Sequence, residues 1–359
     1  MKPKEICELA GRLMRHPAVP YHEHNVRDEV ERICLEHGLR CRRDDFGNLL
    51  VSLRTATAVR PLVLAAHLDH PGFEITRQLS DARWLAKFRG GVGDSYFRPG
   101  TPIRLLPGGV AAKLGFRKGT ERIFEVRSTR TRGSTPVFAV WELEDFTLHK
   151  GRIYGRACDD LVGVASVLAT LIELKRLKAR VNVIAAISRA EEVGFHGALA
   201  LGANRGLPSN SLVVSLETSR ELPGVKMGQG VILRVGDCTS IFDSKATRFF
   251  AEVAAGTKLD GRPFPFQRGL MAGGTCEATA YQELGFQTAA VCVALGNYHN
   301  CGPANRIRAE FVDVEDVRGM VELLVTAARQ MSRFEELVAR LPRRLDKMRR
   351  EAEARLRTS

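Results

Sequence analysis

The chain has 359 residues, enough for two domains and a large core, and hydrophobic residues make up an ordinary 44% of it. No run of ~20 apolar residues is present to span a bilayer, so no membrane span is expected. Lys and Arg outnumber Asp and Glu by 54 to 41, yet no helix-turn-helix, zinc finger or aromatic-rich strand accompanies that charge, so no dedicated nucleic-acid site is expected either.

Helical periodicity runs over residues 4–15 and 25–37, and the first nineteen residues alternate charged and apolar side chains, unlike a secretory signal. Eight cysteines are dispersed without a C-x-x-C pair. That excludes a zinc ribbon and a disulfide framework and points to a reducing, cytoplasmic setting. Strands follow near 40–44 and 49–53. A buried strand at 62–66 then runs out into His67-Leu68-Asp69-His70-Pro71-Gly72-Phe73. Residues two apart on an extended chain point the same way, so the Asp69 carboxylate is placed to hold one nitrogen of His67 while the other binds a metal. His70 faces the opposite way and is the weaker ligand.

From 73 to 150 the texture changes to glycine-rich, proline-bearing turns and short alternating strands near 103–106, 122–128 and 136–143, the pattern of a β-rich insert. Gly90-Gly91-Val92-Gly93 within it lacks the spacing and the Lys-Ser/Thr of a phosphate loop and reads as turns. Regular βα alternation occupies 151–334. It opens with Asp159-Asp160 at the head of a helical pattern reaching about 175. Helix capping alone accounts for an aspartate there. A carboxylate also has two oxygens and can bridge two cations.

The apolar strand at 181–188 leads to Glu191-Glu192, where a solvated turn is the plain reading. Two adjacent carboxylates in a cleft need cations to stay charged, and one of them can bind metal while the other moves protons. The segments 211–217 and 288–299 repeat the arrangement, ending in Glu217 and His299. In open α/β sheets ligands gather beyond the carboxyl ends of the strands, so these positions can converge. His67, Asp159, Glu192, Glu217 and His299 thus form a ligand set for two divalent ions, with Glu191 left to act on metal-bound water. Donors of this kind without thiolate suit zinc, cobalt or manganese in a hydrolase. The tail after 334 carries Leu345, Met348, Ala352 and Leu356 at helical spacing, a basic amphipathic helix that could pack on its own domain or a neighbouring subunit.

These stretches, together with Gly273-Gly274-Thr275, occur in the order found in the M42 family of metal-dependent aminopeptidases, which the chain resembles, within the wider clan of M28 and M20 peptidases. The resemblance implies a mixed-sheet, three-layer α/β/α di-metal peptidase domain, formed by 1–72 and 151–335. It implies an inserted small β-barrel-like assembly domain at 73–150, with the basic helix at 336–359 added. Asp159 would bridge the metals, His67 and Glu217 complete one site, and Glu192 and His299 the other. Glu191 would be the general base and Asp69 the residue behind His67. A cis peptide between Asp159 and Asp160, zinc as the first choice of metal, peptide substrates, and a homo-oligomer from dimer to dodecamer are further implications. Three positions depart from the pattern: Glu217 stands where aspartate is usual, Leu161 where arginine is common, and Cys276-Glu277 where Gly-Thr is followed by aspartate. Glu277 is the position left to pair with the substrate's amino terminus.

The activity so indicated is removal of amino-terminal residues from peptides through a metal-activated water. Three alternatives stay open on the residues: an M20-like carboxypeptidase or amide deacylase with the same two metals, a cysteine hydrolase using Cys276 with His299, and a non-catalytic assembly or nucleic-acid-binding protein.

Overall fold

The structure is a computed structural model, and it describes residues 1–128 and 135–358. Four apolar strands, Asn182–Ser188, Leu62–His67, Leu212–Arg220 and Gln287–Gly296, lie side by side and parallel in the middle of an eleven-stranded sheet. All four are buried along nearly their whole length, as parallel strands covered on both faces must be. Antiparallel strands extend both edges: Leu49–Arg54 and Arg40–Arg43 on one side, Glu310–Asp313, Arg152–Gly155 and Phe146–His149 on the other.

Alternation along the strands sorts the core into two layers. Leu62, Leu64 and Ala66 join Leu161, Leu168 and Met320 beneath helices Pro3–Met14, Cys158–Arg176 and Val314–Gln330. Val63 and Ala65 join Leu201 and Tyr281 beneath His196–Ala203 and Glu277–Glu283 on the opposite face. The result is the mixed-sheet, three-layer α/β/α fold that the sequence implied. Helix Cys158–Arg176 is hydrophobic on almost every side because it is the central helix of its layer.

Between the first and second central strands of the chain, six strands from Gly72 to Trp141 close into a small barrel. Its interior is aromatic: Phe73 meets Phe88 and Trp141 edge-on, both at 4.9 Å between ring centroids, and Phe97 stacks on Phe124. Closure leaves no free sheet edge in this part of the chain. The strand Phe146–His149, inside the range read as insert, pairs with Arg152–Gly155 and belongs to the main sheet. Its hydrophobic pattern is as short as the barrel strands', so sequence alone did not separate them.

Candidate metal centre

Parallel pairing with matched register brings the ends of the four central strands to one edge. Ser188 is paired with His67, Ala65 with Ser215, and Glu217 with Cys292, so His67, Glu217 and the turn after Ser188 emerge level with one another. The turn carries Glu191 and Glu192. His299 follows the fourth strand after a tight turn in which Asn297, His299 and Asn300 all have positive φ.

Asp159 lies between the two histidines. Its Oδ1 is 3.6 Å from His67 Nε2 and its Oδ2 is 3.5 Å from His299 Nε2. His299 Nε2 is also 3.1 Å from Glu192 Oε1, and His67 Nε2 is 3.9 Å from Glu191 Oε2. Potential ligand atoms of His67, Asp159 and Glu217, and of Asp159, Glu192 and His299, lie within 4.8 Å of one another in each group. Asp159 does not act as a cap. Asp159 and Asp160 have non-helical backbone angles, with a cis peptide between them, and the regular helix begins after them.

Both imidazoles are oriented through their far nitrogens. His67 Nδ1 donates to the backbone carbonyl of Asp69 at 3.0 Å, and His299 Nδ1 donates to the carbonyl of Gly91 at 2.7 Å. Committing Nδ1 as the donor leaves the Nε2 lone pair facing Asp159, the tautomer a metal ligand needs. Gly91 belongs to the glycine turn of the barrel, so that turn helps to build the site. His70, by contrast, is fully occupied by the carbonyl of Asp159 and the side chain of Asn300.

The reading of Asp69 needs correction. Its carboxylate is 3.7 Å from His67 Nδ1, and the contact with that nitrogen is made by its backbone carbonyl. The chain leaves extended geometry at His67, so the side chain of Asp69 swings under the neighbouring turn. There Oδ1 accepts from the Glu191 amide at 2.9 Å and Oδ2 from the Glu192 amide at 3.1 Å.

Glu310 does the same for Asp159 and His299 and escaped the sequence reading. It is completely buried, and its two oxygens accept from the amides of Asp159 at 3.0 Å and His299 at 2.8 Å. Glu277 is also completely buried, hydrogen-bonded to Ser188 Oγ, and does not line the cleft, so it offers no contact to a substrate's amino terminus. It opens a helix whose first turn faces the sheet rather than the opening. Cys276 is buried beside it and likewise absent from the cleft, and His299 Nε2 is directed at carboxylates, so no Cys276-His299 nucleophile pair exists.

The electrostatics test whether cations fit. Burial opposes charge on His67, but Glu191, Asp159, Asp160 and Asp69 outweigh it and hold its pKa well above the ordinary value. Burial likewise opposes charge on His299, and Glu192 with Asp159 prevails. Burial, reinforced by Asp159 and Glu277, pushes Glu217 up to about 8 despite the pull of His67 and Arg234. Glu191 is also raised, first by burial and then by the nearby carboxylates. Asp159 Oδ1 and Glu192 Oε1 are buried with no hydrogen-bond partner. A cluster that recruits protons and leaves carboxylate oxygens unpaired has an excess of negative charge, and divalent cations satisfy it.

A cleft of about 250 Å³ opens over this cluster, and Glu191, Glu192, Glu217, His299, Arg220 and Arg234 are among the residues that line it. Arg234 is 4% exposed, donates only to Ser219 Oγ at 3.3 Å, and leaves Nε unpartnered; among the described residues it forms no ion pair. It was visible in the sequence as the single charge in the apolar strand Val231–Gly236. Arg220, at the rim, donates to the carbonyl of Gly273 at 3.0 Å. A side chain at Gly273 would collide with that guanidinium.

Comparison with solved structures finds the same fold in archaeal peptidases. The TET1 peptidase of Pyrococcus horikoshii, described as assembling into a tetrahedron or a large octahedral shell, is 21% identical with a TM-score of 0.74. The alignment covers 90% of this chain and 99% of that one. The aminopeptidase APDkam598 of Desulfurococcus kamchatkensis is 20% identical over 93% of this chain and 98% of its own, with a TM-score of 0.76. A TET aminopeptidase from a marine sediment Thaumarchaeota archaeon is 17% identical over 92% and 99%, also with a TM-score of 0.76. At such identities the likeness establishes the fold. The family model for M42 glutamyl aminopeptidases matches residues 134–323, more than half of the chain. The chain therefore belongs to the M42 glutamyl aminopeptidase family and is a metal-dependent aminopeptidase.

Proposed function

We propose that the enzyme uses two divalent ions, zinc by first choice with cobalt or manganese as substitutes, one held by His67 and Glu217, one by Glu192 and His299, with Asp159 shared between them. The observation that carries this reading is the pair of Nε2 atoms turned inward, 3.6 and 3.5 Å from the two oxygens of one buried carboxylate. Bound ions of this kind lower the pKa of water and polarise a carbonyl oxygen. Glu191 lines the cleft with its carboxylate 3.9 Å from His67 Nε2, and with His67 and Glu192 it forms a third group that could hold an ion. In the two-ion centre proposed it stays out of both ligand pairs, to take a proton from the attacking water and return it to the leaving amine. Asp69 and Glu310 hold the ligand-bearing backbone rigid, which keeps the reacting groups in register. A free α-amine on the substrate distinguishes this activity from that of a deacylase.

The family description names a glutamyl substrate. In this chain Arg220 and Arg234 in the cleft lining support that choice: Arg234 is buried with its Nε unpartnered and feels Glu217 only through space, so its guanidinium is placed to receive a substrate carboxylate. An acidic amino-terminal residue would supply one. Peptides entering the cleft, an assembly of several copies with the barrel as the assembly domain, and a reducing cytoplasmic setting complete the proposal. Its supports are the assemblies described for the Pyrococcus relative, the eight free cysteines, and the lack of any helix among the described residues long and apolar enough to cross a membrane.

The test compares glutamyl and leucyl p-nitroanilides, each with and without an N-acetyl cap, on zinc-reconstituted protein. Cleavage restricted to free amines, with glutamyl favoured and the preference abolished by Arg234→Met, is the outcome anticipated. Equal cleavage of capped substrates would contradict it.

A further inference from the structure

The edge strand Arg40–Arg43 carries three arginines and one cysteine, and alternation along it divides the charges. Arg43 turns to the face covered by helix His24–Glu36, where Asp28 and Glu31 accept from it at 2.7 and 2.6 Å. Arg40 and Arg42 turn to the opposite face. Antiparallel register sets Arg40 beside Ser52 and Arg42 beside Leu50, and the third strand sets Ile184 beside Ser52 and Ala186 beside Leu50. Arg54 shares that face and donates to Asn182 Oδ1 at 3.1 Å. The loop after helix His196–Ala203 adds Arg205 to the same place.

These four arginines line a pocket of about 420 Å³, within the usual range of small-molecule sites. No Asp or Glu lines it. Among the described residues Arg40, Arg42, Arg54 and Arg205 form no ion pair, whereas Arg43 beside them holds two carboxylates. The buried side chains Leu50, Ile184 and Leu207 give the pocket an apolar floor. Charges on an edge strand discourage pairing with other sheets, but that accounts for Arg40 and Arg42 alone. Arg54 lies on the second strand and Arg205 on a distant loop, so like charges from three segments converge on one concavity without a counter-ion.

The chemistry of the lining selects the ligand. A guanidinium presents a planar fork of donors that matches phosphate oxygens. A singly charged ligand would leave most of these cations unmatched, whereas several linked phosphates would engage them together. The apolar floor suits an uncharged body attached to those phosphates. A nucleic-acid strand calls for an extended basic track with aromatic platforms, and no aromatic residue lines this pocket. We propose that the pocket binds a small organic polyphosphate, of the chemical class of a nucleoside di- or triphosphate. It shares no residue with the metal cleft.

The test uses full-length, zinc-reconstituted protein and N-methylanthraniloyl-ATP as probe, with magnesium in excess so that the triphosphate does not withdraw zinc. Fluorescence anisotropy should show saturable binding that weakens as salt rises. Arg40→Gln/Arg42→Gln should raise Kd at least tenfold, and Arg54→Gln/Arg205→Gln, on the other two segments, should do the same. Arg343→Gln/Arg344→Gln removes equal charge from the exposed face of helix Arg340–Thr358 and should leave Kd within twofold. The four pocket arginines are exposed, so their variants should keep wild-type thermal unfolding and turnover on a small amide. Unlabelled ATP should displace the probe, tripolyphosphate should need at least tenfold more, and adenosine should not displace it.

No saturable binding at millimolar probe, or unchanged binding in both pocket variants, would overturn the proposal, the latter by placing the probe elsewhere. Equal loss in the control variant would reduce the effect to general charge attraction and overturn it too. Tripolyphosphate as effective as ATP would contradict an organic body on the apolar floor. A twenty-nucleotide RNA that displaces the probe at lower concentration than ATP, through the same arginines, would reassign the pocket to nucleic acid. Binding here does not depend on substrate choice, so its failure leaves the proposed chemistry untouched.

Discussion

Replacing Asp69 by asparagine separates the two roles this residue could play. The shapes are nearly identical, but one carboxylate oxygen becomes an NH₂ group. Since both oxygens are committed, at 2.9 Å to the Glu191 amide and 3.1 Å to the Glu192 amide, one of those amides must then face a donor. The site is fully buried, so water does not replace the lost acceptor. A hydrogen bond to a charged group contributes about 1.5–3 kcal/mol. If the loosened turn must be reordered when metal binds, that energy appears as a zinc affinity weakened roughly ten- to hundredfold, at about 1.4 kcal/mol per factor of ten. The step affected most should be the one carried by Glu192 and His299. The His67 step should change less, because the imidazole keeps its hydrogen bond to the Asp69 backbone carbonyl and loses only the carboxylate charge 3.7 Å from Nδ1. A two-step zinc titration against a chromophoric chelator reads this directly, with His67→Ala and His299→Ala identifying which step belongs to which pair. Affinities within twofold of wild type in both steps, or a loss confined to the His67 step, would refute the reasoning.

Glu191→Gln should retain fold and zinc while turnover falls by about 10²–10⁴-fold, since the amide keeps the shape but accepts no proton; more than a tenth of wild-type turnover would remove Glu191 as the base. Glu310→Ala strips acceptors from the amides of Asp159 and His299, and two buried donors left unpaired cost about 2–6 kcal/mol together. Urea unfolding of the zinc-loaded variant should show that loss, along with reduced zinc retention. The metal-free protein should lose stability as pH rises from 6 to 9. Glu217 is protonated up to about 8 when folded but near the ordinary carboxylate value when unfolded, and the raised His67 and His299 act in the same direction. Zinc, which needs these groups deprotonated, should reverse that trend and bind more tightly at pH 8 than at pH 6. Thermal unfolding with chelator and with zinc across this range checks both signs.

Legibility in the sequence followed the strength of local pattern. The four central strands were readable because each is a short, continuous apolar segment, and the candidate ligands His67, Glu192, Glu217 and His299 were readable because each sits at or just beyond the point where such a strand stops. Register, which makes His67 and Glu217 level, is a pairing between distant segments and leaves no local trace. The same holds for Glu310. It begins a four-residue strand in no recognisable motif, and its importance comes from two amides, one of them more than 150 residues away, that approach only in the folded chain. Asp69 was found but assigned by extended-chain geometry that ends one residue too early. Glu277 came from the family pattern, as the acidic residue displaced by one position, and burial of that side chain at the head of its helix depends on tertiary packing that the pattern does not carry. The glycine turn of the insert was rightly read as a turn, while the carbonyl it supplies to His299 depends on how the barrel docks.

The most direct measurement of the central claim is metal stoichiometry by elemental analysis after zinc reconstitution and removal of free metal, on wild type, His67→Ala and His299→Ala. The account predicts two ions per chain in the wild type and about one in each variant, each variant losing a different step of the titration. One ion or fewer in the wild type, or full occupancy in both variants, would contradict a shared centre built on Asp159.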